Sequence, residues 1–245
     1  MNEDELLKKR FAELDMRAYM KGFCTFSEFL NLDEISTLKS TKLSGTPMLF
    51  GGHKGADRCV AGFGENVQES DFPVKCIEIA PLQQKFADSL NHRDFLGSLM
   101  NLGINRNTLG DIVIRDNVGY LFCLDTISQY IVENLTRIKH TSVSCKVIDG
   151  APDFINSEPV SEELLTSSLR VDTVVASLYR LSRNAVAELF TKEKVYINSK
   201  IATKESVNLK ENDVVSVRGY GKFIFCSSLR QTKKGRCVVE VKVYK

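Results

Sequence analysis

A chain of 245 residues and 27.5 kDa has room for two or three modest domains, and 43% hydrophobic with 26% charged residues is the composition of a soluble globular protein. No apolar run is long enough for a bilayer and the charged, helix-patterned start "MNEDELLKKRFAELD" is not a signal peptide, so neither a membrane protein nor a secreted one is expected. The net charge is only +2, but residues 169–245 hold 16 basic and 7 acidic side chains, +9, against 17 and 24, −7, in residues 1–168, an asymmetry that points to a polyanion partner, most simply nucleic acid.

The first block, residues 1–69, opens on an amphipathic helix with Leu6, Leu7, Phe11 and Leu14 at helical spacing. A second helix is predicted from near Ser27, within "TFSEFLNLDEISTLKS". "MLFGG" and "RCVAGF" read as two short strands around "GGHKGAD". That glycine-rich turn lacks the Gly-Lys-Ser/Thr ending of a phosphate-binding P-loop, so it is read as a hairpin turn.

The second block, residues 70–153, alternates clearly. "PVKCIEIAP" is a strand, and "QQKFADSLNHRDFLGSLMNLG" a helix with a break near Asn91 and Gly103 at its C-terminal end. "DIVIRD" and "GYLFCLD" are strands, "TISQYIVENLTRI" a helix with Ile127, Ile131, Leu135 and Ile138 on one face, and "SVSCKVID" the last strand. The order βαββαβ is the ferredoxin-like unit. Its first helix contains His92-Arg93-Asp94, the letters that open a protein-kinase catalytic loop. A kinase places a metal-binding Asn five residues after the Asp, where this chain has apolar Leu99, and no Asp-Phe-Gly follows. Phe95, Leu96, Leu99 and Met100 are the helix's apolar stripe. His92, Arg93 and Asp94 then serve as a cap or ion pair, or His92 and Arg93 with Arg106 supply a secondary RNA contact.

The RNA-recognition-motif fold shares this strand order. Gly119, Tyr120 and Phe122 match its aromatic strand, but Val118 and Asp125 depart from it, and Glu78 stands where a stacking aromatic belongs. A carboxylate repels phosphate, so this sheet is expected to pack on a neighbouring domain. Ala151–Ser168 is polar with two prolines, and residues 154–168 are read as a linker.

The third block is residues 169–245. Ser182 is a good N-cap for a helix Arg183–Thr191, with Arg183 and Asn184 in the first turn, where main-chain N–H groups attract phosphate. Lys192, Lys194 and Lys200 follow, and Arg218 and Lys222 flank the turn Gly219-Tyr220-Gly221. Basic side chains, a helix start and a glycine-rich turn suit an RNA backbone. The block resembles the S4 RNA-binding domain in Arg170, Asp172, Ser182, Arg183, Val195, Asn198, Lys200 and Asp213. Glu193 and Ser199 stand where that family has glycines, and Val171 where it has Leu. "HRDFLGSLMNLGINRNTLGDIVI", "GYLFCLD", "TKEKVYIN" and "GYGK" resemble the YlmH family, three-domain bacterial proteins ending in S4. The resemblance implies an α+β chain with an N-terminal α/β piece, an RRM-like middle domain and a C-terminal αL-type S4 domain closed by a β-hairpin. It implies ribosomal RNA and tRNA on the large ribosomal subunit as partners, and quality control of stalled nascent chains as the setting. The implied RNA-binding set is Arg170, Ser182, Arg183, Asn184, Lys192, Lys194, Asn198, Lys200, Arg218, Gly219, Gly221 and Lys222.

Catalysis finds little footing. A pseudouridine synthase needs Asp in a Gly-Arg-Leu-Asp context, and a methyltransferase a glycine-rich turn after its first strand, where this chain has "LQQKF". A non-catalytic binding protein is expected, with an RNA-modifying enzyme of either type, or its targeting subunit, as the alternative. Seven cysteines without a C-x-x-C pair and three histidines without ligand spacing predict reduced thiols in a cytoplasm and no metal site. No cofactor and no small-molecule substrate are expected.

Overall fold

The computed structural model describes residues 3–156, 158–232 and 235–244. The chain divides into two compact units, residues 1–156 and 157–245.

In the first unit, helix α1 (Glu3–Lys21) buries Phe11 and Ala18. The helix expected from Ser27 starts later. Thr25–Leu30 is a strand, β1, because burial there has period two: Thr25, Ser27 and Phe29 point inward. Buried Ser27 is served by the sheet itself, its hydroxyl accepting the Ala61 N–H at 2.9 Å. Helix α2 (Leu32–Ser40) begins only after Asn31. The Asn31 side chain accepts the N–H groups of Asp33 and Glu34, and the Glu34 carboxylate returns to the Asn31 N–H at 2.7 Å, a closed capping box. Strands β2 (Met48–Phe50) and β3 (Cys59–Phe63) pair antiparallel around the glycine-rich turn, in a sheet of order β1-β3-β2.

The remainder of this unit runs β4 (Val74–Pro81), α3 (His92–Asn101), β5 (Leu109–Arg115), β6 (Val118–Leu124), α4 (Asp125–Asn134), β7 (Arg137–Ile138) and β8 (Thr141–Ile148). The antiparallel sheet order is β5-β6-β4-β8-β7, so the four main strands of the βαββαβ element lie 4-1-3-2. Two helices are shorter than their patterns. Only a single 3₁₀ turn, Gln84–Phe86, precedes Asn91, and α4 stops at Asn134, leaving Leu135 and Ile138 in the core on non-helical backbone. Met100, placed on the apolar stripe of α3, is exposed, while Phe95 and Leu99 are fully buried.

Both faces of this sheet are covered. On one, Phe95, Leu99 and Ile131 of the helices pack on Ile77, Ile79 and Leu121. On the other, Cys76 and Phe122, with Tyr120 at the margin, meet Phe29 and Val60 of the three-stranded sheet, Phe72, and Ile155. The face that would stack bases in an RNA-recognition motif is therefore occupied by the N-terminal block.

The second unit is an antiparallel sheet of order β11-β10-β12-β13-β14-β9. Its strands are β9 (Val160–Thr166), β10 (Val195–Ile197), β11 (Lys200–Ile201), β12 (Val214–Val217), β13 (Gly221–Gln231) and β14 (Cys237–Val243), with helices α5 (Val171–Tyr179) and α6 (Arg183–Thr191). Val171, Val174, Val186 and Leu189 of the helices close over Val195, Val215, Phe223, Phe225 and Val239. The linker reading of residues 154–168 does not hold over β9, which pairs with β14 along its whole length, from Val160↔Val243 to Thr166↔Cys237. As an edge strand it leaves Ser161, Glu163 and Leu165 exposed, and so much polar surface reads in sequence as a loop.

Candidate nucleic-acid interface

The basic unit builds its surface from the ends of its elements. Helix α5 ends with Arg180 in the left-handed region, φ +54°, which turns the chain into Ser182. The Ser182 hydroxyl accepts the Ala185 N–H at 3.2 Å and starts α6 at the predicted residue. The cap satisfies one first-turn donor and leaves others without an intrahelical partner. Arg183 and Asn184 are exposed there, and Arg183 makes no ion pair among the described residues. Arg170 differs. Its Nε and Nη2 donate to the two Asp172 carboxylate oxygens at 3.0 and 2.7 Å, a bidentate pair that orients both side chains.

A second basic group lies around the far end of α6. Lys192 pairs with Glu188 one turn back. The Lys194 carbonyl accepts the Arg218 N–H at 2.9 Å, bringing those residues side by side, and the Arg218 guanidinium sits 4.7 Å from the centre of the Tyr196 ring. Gly219 and Gly221 have φ of +90° and +134°, a turn that side chains disfavour, and Lys222 stands over Tyr244. Lys200 is exposed on the short strand β11. Helix α6, nine residues and about 14 Å long, lies between Arg183 at its start and the lysines that follow its end, so the predicted set forms two groups rather than one grip.

Asn198 has a structural task. Its amide donates to Asp213 at 2.8 Å and its carbonyl oxygen accepts the Val214 N–H at 3.0 Å. Asn198 and Ser199 both adopt positive φ, +52° and +69°, and Glu193 does so at +51°. These left-handed turns are thus made without glycine.

In the first unit, "HRD" caps a helix. Asn91 accepts the N–H groups of Arg93 and Asp94, and the Asp94 carboxylate accepts the Asn91 N–H at 2.8 Å. Asp94 also pairs with Lys139 at 2.8 Å. His92 and Arg93 are exposed; desolvation first, and the Arg106 charge second, lower the His92 pKa. Arg106 leaves the set of expected RNA contacts. Its Nη1 donates to the Leu109 and Gly110 carbonyls at 2.6 and 3.3 Å, and burial, then the neighbouring Arg58, pushes its pKa down to about 10. Arg236, which the sequence reading did not single out, lines a groove with Arg170 and Arg183 and ends the basic run "RQTKKGR".

Residues 67–151 match the family model described as "Putative RNA-binding domain in YlmH". The chain is also 31% identical over 175 residues to the "Ribosome-associated protein quality control protein P2" of Bacillus subtilis (strain 168), a match that covers 69% of this chain and 65% of that relative. Residues 67–151 thus carry a YlmH-family domain. A solved YlmH structure, "Cell division protein ylmH from Streptococcus pneumoniae", aligns with a TM-score of 0.48 at 21% identity over 61% of this chain and 93% of that one. The YlmH domain match spans β4 to β8, the sheet whose two faces are both buried.

Proposed function

We propose that this chain is a non-catalytic RNA-binding protein of the ribosome, holding ribosomal RNA and tRNA on the large subunit during quality control of stalled nascent chains. The observation that carries the reading is Arg183, an exposed arginine without an ion pair among the described residues, at a helix start within a segment of charge +9. The name of the Bacillus subtilis relative and the description of the matching family model support the ribosomal setting. The S4 resemblance supports the residue assignments.

Three groups that chemistry could use have structural surroundings instead, the Cys76 and Cys123 thiols and the Asp111 carboxylate. Burial pushes the Cys76 and Cys123 thiols up to about 12, so neither is a thiolate at neutral pH. His53 lies 3.3 Å from Asp111, but that carboxylate accepts the Asp57 and Arg58 N–H groups and ties a loop to the sheet.

The test is binding of the full chain to purified large and small subunits at fixed salt, with Arg183→Ala and Arg183→Lys alongside. Arg183→Ala should melt as the parent does and bind the large subunit about ten- to a hundredfold more weakly, as expected for a lost charge-assisted contact. Arg183→Lys should recover part, since an ammonium cannot make the bidentate contact. Equal binding by all three proteins would remove α6 from the interface. Preference for the small subunit would remove the large-subunit assignment. A new modified nucleotide, found by mass spectrometry after incubation of ribosomal RNA with the chain and S-adenosylmethionine, would establish an enzyme instead.

A further inference from the structure

The second unit has a groove of about 570 Å³ whose walls come from five places in the sequence: the end of β9, helix α5, the start of α6, the loop between β11 and β12, and the turn between β13 and β14. Three arginines line it, Arg170, Arg183 and Arg236, with Asp172 and Glu205 as its acids. The acids are engaged with Arg170, Asp172 through the bidentate pair and Glu205 electrostatically. Arg183 and Arg236 make no ion pair among the described residues. Two uncompensated guanidinium groups, 53 positions apart in sequence, therefore open onto one recess. Like charges so placed repel, and an anion between them converts the repulsion into attraction.

The Arg236 backbone is held in place. Its carbonyl accepts the Thr232 N–H at 2.8 Å, its own N–H donates to the Thr232 hydroxyl at 3.1 Å, and Gly235 takes φ +74° to close the turn. The groove is much larger than one phosphate, whose oxygens fill little more space than a few waters. The sequence around Arg236 is also basic. From Arg230 to Arg236 the sequence has four basic residues and no acidic one. This arrangement suits a chain of phosphates better than a single one.

We propose that the β13–β14 hairpin is the second wall of an RNA-backbone groove, with Arg236 and Arg183 holding phosphates of one strand from opposite sides. The proposal rests on the RNA-binding reading above and adds to it a contact outside the S4 pattern.

The experiment measures binding of the full chain to a fluorescein-labelled RNA stem-loop over a salt series. The variants are Arg236→Ala, Arg236→Lys, Arg183→Ala and the double alanine, with thermal melting of each and Arg236→Gln as a second neutral variant. Arg236→Ala should melt normally, bind about tenfold more weakly, and reduce the slope of log affinity against log salt by about one. Arg236→Lys should restore the slope but only part of the affinity. The double variant should lose less than the sum of the singles if both arginines hold one strand. Normal binding by Arg236→Ala beside weak binding by Arg183→Ala would overturn the hairpin wall and leave the proposed function standing. Normal binding by both would sink the groove and the α6 assignment together. Full competition by AMP at concentrations comparable to the stem-loop would make the groove a mononucleotide site and overturn the strand.

Discussion

The Asp94 carboxylate stands 2.8 Å from the Lys139 ammonium and 2.8 Å from the Asn91 N–H, so one side chain both caps α3 and ties it to the turn before β8. The bond from Lys139, then that from Asn91, holds the Asp94 carboxyl below the usual carboxylate range. An acid with a depressed folded-state pKa stabilises fully above its unfolded value, about 4, and loses that contribution as pH falls through the folded value. The stability difference between parent and Asp94→Asn in urea should be constant from neutral pH to about 5 and shrink below about 4. A difference that ignores pH would show that the charge is not what Asp94 contributes.

Asp111 accepts the N–H groups of Asp57 and Arg58 at 2.7 and 3.2 Å, while Arg58 donates to the Leu109 and Phe29 carbonyls at 2.9 and 3.0 Å. Asp111→Ala would strip an acceptor from two main-chain donors and a negative charge from beside half-buried Arg58 and Arg106. We expect a loss of about 2 kcal/mol or more, read as a lower urea midpoint at unchanged slope.

Gly119 exists for Phe95. A Cβ on Gly119 would lie 2.3 Å from the Phe95 ring, which is fully buried. Gly119→Ala should therefore cost about 1–3 kcal/mol by overpacking. Phe95→Leu in the same chain should relieve part of that cost, giving a positive coupling in a double-mutant cycle; additive losses would mean the two do not share the space.

Native protein treated with iodoacetamide at pH 8 should leave Cys76 and Cys123 unmodified, because burial both shields them and keeps them protonated. In denaturant all seven thiols should react. Rapid native labelling of either buried thiol, located by peptide mass, would mean that the sheet opens readily.

Local signals in the sequence carried well. Ser182 marked the start of α6, Asn91 the break before α3, and hydrophobic alternation the βαββαβ order. The misses are non-local. β1 mixes Thr, Ser and Glu among phenylalanines, and only Ala61 on the neighbouring strand reveals why Ser27 is inside. β9 is polar because it needs β14 on one side only. Arg106 was expected as a secondary RNA contact, yet its guanidinium donates to the carbonyls of Leu109 and Gly110. Arg236 could not be placed on one groove with Arg183 from spacing, because the pairing of β14 with β9 joins distant parts of the chain.

The covered sheet also decides how this chain can be dissected. The family match begins at residue 67, after β1, β2 and β3 have passed. A fragment cut at that point would turn Cys76, Phe122 and Tyr120 out to water as one contiguous apolar patch, the kind of surface that drives self-association. The stretch that is inherited as a recognisable pattern is thus shorter than the stretch that folds. A chimera that borrows this domain needs the N-terminal sheet as its lining, and a truncation series should find its first soluble fragment only when Phe29 and Val60 are included.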